Sequence, residues 1–194
     1  MAHSKEVILG VTGSIAAYKA GELINRLRAR QIKVTVVMTK EAEYFITPLT
    51  LQSLSANTVA RDLFALPENV NPAHLTLAER GDLVLIAPAT ANIIAKLAAG
   101  IADDVLTCLC LSTRRPIVIC PAMNERMFEH QITQDNIARL KKAGCYFVGP
   151  VKGHLVCGGQ GLGHLAAIED IVSETLKLIM INTKAQVLSK SLKV

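Results

Sequence analysis

Short apolar runs alternate along the chain with segments in which apolar residues recur at helical spacing. The apolar runs predict strands at Val7–Val11, Lys33–Met38, Leu83–Ala87, Ile117–Cys120 and Tyr146–Val148. The helical spacing predicts helices at Ile15–Arg30, Glu41–Phe45, Pro48–Leu54, Ala91–Ala98, Asp104–Leu111, Gln131–Ala143 and Glu169–Ile181. This alternation predicts a doubly wound α/β fold, a three-layer αβα sandwich around a mostly parallel sheet.

Some segments do not follow this pattern. Residues Asp62–Leu75 contain prolines and are predicted to form a loop. Residues Gly149–Gly163 hold six of the chain's twelve glycines, which predicts a mobile flap. The last residues are polar, so we expect one domain over residues 1–181 and a tail or linker over residues 182–194.

Composition and charge narrow the classes of function. The chain is 51% hydrophobic and 19% charged, which excludes intrinsic disorder. Its formal net charge of +5 is spread along the sequence without a long basic run, and it contains no Trp. This pattern argues against nucleic acid as a partner and favours an anionic small molecule.

The cysteines and the apolar segments indicate a cytoplasmic protein. Five cysteines without a C-x-x-C pair favour reduced thiols over a disulfide framework or a zinc site. The first residues are polar and lead directly into a strand, so we expect no signal peptide. The most apolar stretch, Leu83–Ala102, is interrupted by Pro88, Asn92 and Lys96, and it is predicted to be a strand, a loop and a helix rather than a membrane span.

Small residues with hydroxyl or amide groups follow the predicted strands. In a doubly wound fold these loops meet beyond the carboxyl ends of the strands, where ligands bind. The loops are Thr12-Gly13-Ser14, Thr39-Lys40, Pro88–Asn92 and Pro121–Asn124. Backbone N–H groups and hydroxyls at the start of a helix suit a phosphate group.

The first two loops favour a mononucleotide over a dinucleotide. The first loop lacks the full G-x-G-x-x-G pattern, and the second carries Thr39-Lys40 where an NAD site would place an acidic residue. Both absences indicate a mononucleotide such as FMN. The alternative is that Gly13 serves only the tight packing between the strand and the helix that follows it.

Three side chains are candidates for chemistry, and each has a structural alternative. Cys157, in the glycine-rich segment, is a candidate reactive thiol or an incidental small residue. His74 is a candidate general base or an ordinary surface or capping histidine. Asn124 is a candidate carboxylate ligand through its amide N–H groups or the N-cap of the next helix. The histidines show no metal-ligand spacing, so we predict no metal site.

Taken together, these segments resemble the homo-oligomeric flavin-containing cysteine decarboxylases. The resemblance is carried by Thr12–Ala16, Pro88–Asn92, Pro121–Met127 and Cys157-Gly158, and it extends over Lys5–Ile181. It implies a Rossmann-like, flavodoxin-like fold, an FMN cofactor and a homotrimer or a dodecamer built of trimers. Within the family the chain is most similar to members that decarboxylate 4′-phosphopantothenoylcysteine to 4′-phosphopantetheine in coenzyme A biosynthesis.

The resemblance also implies the residues of the site. The FMN ligands would be Gly13, Ser14, Ile15, Thr39, Thr90, Ala91, Asn92 and Ala122. The substrate would contact Met123, Asn124, His154, Leu155 and Val156. His74 would be the base and Cys157 the proton donor. Departures from the family pattern concern the substrate flap more than the flavin site, and they include Phe128, Gly159 and His164.

In the implied reaction the cysteinyl thiol of the substrate is oxidised to a thioaldehyde, CO₂ leaves, and the resulting enethiolate is reduced and protonated. One alternative is an oxidative peptidyl-cysteine decarboxylase, which stops at the enethiol and needs no proton donor. A second is a non-catalytic, FMN-binding regulatory subunit. Cys157 favours the complete reaction. The resemblance further implies a phosphopantothenate–cysteine ligase that is fused to this domain or paired with it.

Overall fold

The computed structural model describes residues 4–64, 72–154 and 160–191 of the 194-residue chain. Its central sheet consists of β1 (Glu6–Val11), β2 (Lys33–Met38), β3 (Leu83–Ala89), β4 (Ile117–Pro121) and β5 (Tyr146–Phe147). All five strands are parallel, in the order β2-β1-β3-β4-β5. The predicted α/β fold with a parallel sheet is therefore confirmed.

Helices pack on both faces of this sheet. They are α1 (Ala20–Arg28), α2 (Pro48–Ser55), α3 (Ala73–Arg80), α4 (Ala91–Ala99), α5 (Val105–Ser112), α6 (Glu125–Glu129), α7 (Gln131–Lys142) and α8 (Ile168–Ser191). Short 3₁₀ helices follow β1 and β2, at Ile15–Lys19 and Lys40–Tyr44. A separate antiparallel hairpin is formed by β6 (Val151–His154) and β7 (Gln160–His164).

Alternating side chains along the strands build a core on each face of the sheet. In β1, Val7 and Leu9 pack with residues of α1 and α8, whereas Ile8 packs with residues of α4 and α5. Every position of β3 is buried, as predicted for a strand that helices cover on both faces. The apolar stretch that begins at Leu83 is a strand followed by α4, and no helix within the described ranges is long and apolar enough to cross a membrane.

Helix α3 is an element that the sequence analysis missed. The sequence predicts a loop over Asp62–Leu75, but Ala73, His74 and Leu75 form the first turn of α3. Pro72 occupies the N-cap position of this helix. Proline is tolerated at a helix start, because the first N–H groups of a helix have no partner within it. This proline therefore marks the start of a helix rather than the inside of a loop.

Other boundaries also differ from the prediction. The helix predicted at Ile15–Arg30 divides into a 3₁₀ helix and α1. Helix α8 extends beyond its predicted end at Ile181 to Ser191, because no Gly or Pro interrupts this segment. The segment predicted as a mobile flap contains the paired strands β6 and β7 in its described part.

A cluster of charged residues closes the amino end of the sheet. Glu6, which is buried at the start of β1, accepts a hydrogen bond from Thr35 Oγ1 at 2.6 Å and pairs with Arg80 Nε at 3.0 Å. The backbone N–H of Glu6 donates to Asp82 Oδ2 at 2.9 Å. These contacts join β1, β2 and the segment between α3 and β3 at the end of the sheet opposite to the predicted ligand loops.

Candidate active site

A cavity of about 690 Å³ lies at the carboxyl end of the sheet. The loops that follow β1, β2, β3 and β4 supply much of its lining. The order of the strands reverses between β1 and β3, because β2 lies on the other side of β1. In doubly wound sheets such a reversal opens the crevice in which ligands bind. The volume of the cavity is typical of a small-molecule site, about 300–1,000 Å³.

All the residues that the resemblance assigns to the cofactor line this one cavity. They are Gly13, Ser14, Ile15, Thr39, Thr90, Ala91, Asn92 and Ala122. Met123 and Asn124, assigned to the substrate, line it as well. These residues are distant in sequence, and the parallel sheet brings them together by aligning the carboxyl ends of its strands. What they bind stays a prediction.

Thr12 joins two of the loops that line the cavity through hydrogen bonds, a role that the sequence pattern does not predict. Its Oγ1 donates to the carbonyl of Pro88 at 2.7 Å and accepts from the N–H of Thr90 at 3.1 Å. The Thr12 side chain is buried, so both hydrogen bonds are shielded from water. They fix the loop after β1 against the loop after β3. A polar residue directly after an apolar strand is the signal that could have identified it.

Gly13 allows the loop after β1 to pack closely against the 3₁₀ helix that follows β2. A Cβ atom at Gly13 would overlap the Cβ of Glu41. Gly13 therefore has a packing role, but toward the element after β2 and not toward the helix that follows its own strand. This packing role is compatible with a ligand role, because the same loop lines the cavity.

Helix α4 begins at the cavity with backbone N–H groups that a ligand can use. Thr90 caps this helix, since its Oγ1 accepts from the N–H of Ile93 at 3.3 Å. The N–H groups of Ala91 and Asn92 have no partner within the helix because they belong to its first turn. No hydrogen bond found among the described residues uses them. A helix start of this kind suits a phosphate group.

Thr39 provides a buried polar group that is not used within the protein. It follows β2, lines the cavity and is 7% exposed. Its Oγ1 has no hydrogen-bond partner in the described part of the chain. By contrast, Ser14 Oγ accepts from the N–H of Ala16 at 3.3 Å. A buried hydroxyl without a partner reduces stability, and a bound polar ligand would offset this cost.

The loop after β4 and strand β7 form the opposite side of the cavity. We call this side the hairpin wall, and it comprises Ala122–Asn124, Met127 and Gly163–Leu165. The N–H of Met123 donates to the carbonyl of Gly163 at 3.0 Å. Asn124 Oδ1 accepts from the N–H of Arg126 at 3.0 Å, so the N-cap interpretation of Asn124 is confirmed. Its role as a carboxylate ligand stays a prediction.

The other predicted site residues fall into two groups. His74 lies in the first turn of α3 and does not line the cavity. Its Nδ1 is buried, with no hydrogen-bond partner among the residues described. Leu155, Val156 and Cys157 lie outside the described residues, and for His154 the structure describes only the backbone, at the end of β6.

The described cysteines lack the features of a reactive thiol. Burial raises the pKa of each of them: Cys108, Cys110, Cys120 and Cys145. A raised pKa keeps a thiol protonated at neutral pH, whereas the thiolate is the nucleophilic form. Cys110 and Cys120 pack in the core, and none of the four competes with Cys157 as the candidate for chemistry.

Four further polar side chains line the cavity, and the sequence pattern gives none of them a role in the site. They are Lys19, Glu41, Asp104 and His164. Asp104 caps α5 by accepting from the N–H of Thr107 at 2.8 Å. An aspartate followed three residues later by threonine, at the start of a predicted helix, is the signal that could have identified this cap.

Lys96 lies beside this cap and pairs with both neighbouring carboxylates. Its Nζ is 2.8 Å from Asp103 Oδ1 and 3.5 Å from Asp104 Oδ2. The hydrogen bond with Asp103 raises the pKa of Lys96 and lowers the pKa of Asp103. Lys96 therefore partly neutralises the negative charge of Asp104, which lines the cavity.

The chain is similar in sequence to proteins of known function. The family model described as Flavoprotein matches residues 1–180. The coenzyme A biosynthesis bifunctional protein CoaBC of Escherichia coli K12 is 43% identical over 161 residues, which are 83% of this chain and 40% of that protein. CoaBC of Haemophilus influenzae is 42% identical over 169 residues, 87% of this chain and 42% of that protein. The chain thus spans about two fifths of the length of these relatives.

Solved structures share its fold. A variant PPC decarboxylase complexed with pantothenoylaminoethenethiol has a TM-score of 0.81 at 28% identity, and the match covers 92% of this chain and 99% of that one. The FMN-dependent cysteine decarboxylase SpaF has a TM-score of 0.81 at 28% identity, covering 92% and 97%. The FMN binding protein AtHal3 has a TM-score of 0.76 at 28% identity, covering 89% and 95%. These matches confirm the Rossmann-like fold.

Proposed function

Because this chain belongs to the Flavoprotein family, we propose that it binds FMN in the cavity and decarboxylates 4′-phosphopantothenoylcysteine to 4′-phosphopantetheine. The observation that carries the proposal is the gathering of cofactor-type residues and Asn124 around one cavity. The similarity to the two CoaBC proteins supports the choice of substrate. So does the match to a PPC decarboxylase that this chain covers over 99% of its length.

The residues of the cavity fit FMN. The N–H groups of Ala91 and Asn92 at the start of α4 would hold its phosphate. Thr39 Oγ1, which lacks a partner in the described structure, would gain one. Ile15 and Ala122 supply apolar surface for the flavin ring. Bound FMN would supply an acceptor for the two electrons removed from the substrate thiol and would return them after CO₂ is lost.

Residues of the hairpin wall and of the segment after β6 would act on the substrate. The amide of Asn124 would donate hydrogen bonds to the substrate carboxylate, beside Met123. His154, Leu155 and Val156 would add contacts to the rest of the molecule. The Cys157 thiol would donate the proton that completes the saturated product, and the imidazole of His74 would act as the base.

We include a homo-oligomer in the proposal, a trimer or a dodecamer built of trimers. Large apolar side chains are exposed on the described surface, among them Tyr18, Tyr44, Leu49 and Phe64. Because His74 does not line the cavity of its own chain, its role as the base requires a neighbouring copy to bring it there. Sedimentation that finds an active monomer would overturn both the assembly and this role for His74.

The proposal extends to a second enzyme activity. The relatives are bifunctional proteins of coenzyme A biosynthesis that are more than twice as long as the matched region. We therefore propose that a phosphopantothenate–cysteine ligase is fused to this chain or paired with it. Both activities would operate in the cytoplasm, where the buried thiols of this chain stay reduced.

Mass spectrometry of the reaction product tests the proposed reaction. The purified yellow protein is incubated anaerobically with 4′-phosphopantothenoylcysteine. We expect a saturated product that is lighter by one CO₂, and flavin that is again oxidised at the end. An unsaturated product with bleached flavin would contradict the proton-donor role of Cys157. No reaction despite bound FMN would contradict the choice of substrate.

The second candidate is oxidative decarboxylation of a cysteine in a peptide. SpaF, an FMN-dependent cysteine decarboxylase, has the same TM-score and identity as the PPC decarboxylase, so the structural matches do not choose between the molecules that carry the cysteine. That reaction ends at the enethiol and needs no proton donor. Incubation with a peptide that ends in cysteine separates the two functions, since only the second predicts loss of CO₂ and of two hydrogens from the peptide.

A further inference from the structure

The hairpin wall of the cavity depends on contacts between two small elements. Helix α6 has five residues, and none of them is buried. The β6–β7 hairpin is a separate two-stranded sheet. An isolated hairpin is at best marginally stable in water, and a helix of this length does not persist alone. Ala122 and Leu165 anchor the two ends of the wall in the core, and between them its position depends on what joins α6 to β7.

A carboxylate of α6 binds the backbone of β7. The N–H of Leu162 donates to Glu125 Oε1 at 2.7 Å. Beside it, the N–H of Met123 donates to the carbonyl of Gly163 at 3.0 Å. A Cβ atom at Gly163 would overlap the carbonyl of Met123, so the two backbones are in close contact. Hydrogen bonds from a backbone N–H to a carboxylate are about twice as strong as neutral ones.

We propose that Glu125 is a positioning residue for the substrate. Its bond to Leu162 holds Gly163–Leu165 against Met123 and Asn124, and it thereby sets the width of the substrate end of the cavity. The inference rests on the proposed function in one respect, which is that Met123 and Asn124 contact the substrate. Among the cofactor residues Ala122 alone belongs to the hairpin wall, and the others lie after β1, β2 and β3, so Glu125 acts mainly on the substrate.

The competing explanation is that the negative charge of Glu125 stabilises helix α6 in general, without a specific contact to β7. Glu125 lies in the first turn of α6, where a negative charge favours a helix irrespective of any specific contact. Glutamine distinguishes the two roles, because it keeps an oxygen that can accept from Leu162 and loses the charge. Glu129, at the other end of α6, is exposed and has no ion pair or side-chain hydrogen bond among the described residues. It serves as the matched control for loss of a carboxylate.

The test compares Glu125→Ala, Glu125→Gln and Glu129→Ala by hydrogen exchange and by steady-state kinetics. In Glu125→Ala we expect exchange at Leu162 to become about tenfold faster. KM for 4′-phosphopantothenoylcysteine should rise about tenfold, while kcat changes less than about twofold. Glu125→Gln, which keeps a weaker neutral acceptor, should show a smaller change than Glu125→Ala in both measurements, and Glu129→Ala should behave like the unchanged protein. FMN absorbance per chain should be equal in all variants, which also reports that each one folds.

Each contrary result overturns a defined part of the inference. Unchanged exchange at Leu162 in Glu125→Ala would overturn the contact. Faster exchange with an unchanged KM would overturn the positioning role. A loss in Glu125→Gln as large as in Glu125→Ala would assign the effect to charge at the helix start. If the unchanged protein does not turn over this substrate, the proposed function fails, and hydrogen exchange still tests the contact by itself.

Discussion

The two ends of the parallel sheet differ in how completely their polar side chains are paired. At the amino end, Glu6 binds Thr35 and Arg80, and Asp82 accepts from Lys5 Nζ at 3.1 Å as well as from the backbone of Glu6. At the carboxyl end, Thr39 Oγ1 is buried and lacks a partner in the described structure. The chemical type of the residue does not explain the difference, because Thr35 and Thr39 are the same residue four positions apart.

This difference separates the part of the molecule that stabilises the fold from the part that is available to a ligand. Removing the buried Glu6 carboxylate is destabilising, because the buried Thr35 hydroxyl loses its acceptor and Arg80 loses its ion pair. A buried hydroxyl without a partner is destabilising in the free protein and becomes favourable when a ligand supplies the partner. We therefore expect substitutions in the Glu6 cluster to change stability, and substitutions of groups without a partner at the carboxyl end, such as Thr39, to change binding or turnover.

The largest expected effect is at the carboxyl end, in Asn124→Asp. Aspartate keeps the oxygen that caps α6, so the fold should be retained. It replaces the amide donors with a negative charge that repels the substrate carboxylate. We expect kcat/KM to fall about 1,000-fold, a larger effect than any loss of stability, because the capping oxygen is retained. Decarboxylation kinetics and urea unfolding of the same samples measure both quantities. An active Asn124→Asp variant would remove Asn124 from substrate binding.

The next effect is at the amino end, in Glu6→Ala. The substitution leaves the buried Thr35 hydroxyl without its acceptor and removes the ion pair of Arg80, so we expect the free energy of unfolding to fall by about 2–3 kcal/mol. Turnover per folded molecule should not change. Urea unfolding measures the loss, and Glu174→Ala, which removes an exposed ion pair with Lys177, should cost less than about 0.5 kcal/mol. Equal losses in the two variants would show that burial of the Glu6 cluster adds nothing.

The sheet and most helices are predictable from the sequence because their signals are local. Leu83–Ala87 is apolar at every position, and the strand found there is buried throughout. Thr47 and Pro48 predict the start of α2, and Thr47 Oγ1 accepts from the N–H of Thr50 at 3.2 Å. Helix α3 has no such signal, because Pro72 precedes it and prolines are equally typical of loops. A short helix of this kind is specified by packing against its neighbours, which a local pattern does not contain.

The sequence predicts which loops form the candidate site, but it does not predict which side chains contact each other there. The rule that ligands bind beyond the carboxyl ends of the strands locates Gly13, Thr39 and Thr90 at one cavity. The partners of Thr12 and Glu125 are 76 and 37 positions away in sequence, so no local motif reveals them. His74 is assigned to the site by resemblance, but it does not line the cavity of its own chain. Sequence position indicates which loop a residue belongs to, and the fold decides which side chains meet.

The smallest expected effects come from replacing Thr35 and Thr39 with valine. They give the most direct comparison of the two ends of the sheet, because the same substitution is made within β2 and directly after it. Thr35→Val removes the hydroxyl that donates to Glu6, so the free energy of unfolding should fall by about 1–2 kcal/mol. Thr39→Val removes a hydroxyl without a partner in the described structure, so the FMN-free protein should lose no stability. FMN should bind about fivefold more weakly to Thr39→Val, the equivalent of about 1 kcal/mol. Its affinity for Thr35→Val should not change.

Urea unfolding of the FMN-free protein and fluorescence titration with FMN measure the two sides of this comparison. Valine has nearly the volume of threonine, so neither substitution creates a cavity and the difference reports the hydroxyl alone. If Thr39→Val lost stability as Thr35→Val does, the Thr39 hydroxyl would have a partner within the protein, and the carboxyl end would be no less paired than the amino end. If both variants bound FMN normally, Thr39 would not be a cofactor ligand, and the N–H groups at the start of α4 would have to hold FMN without it.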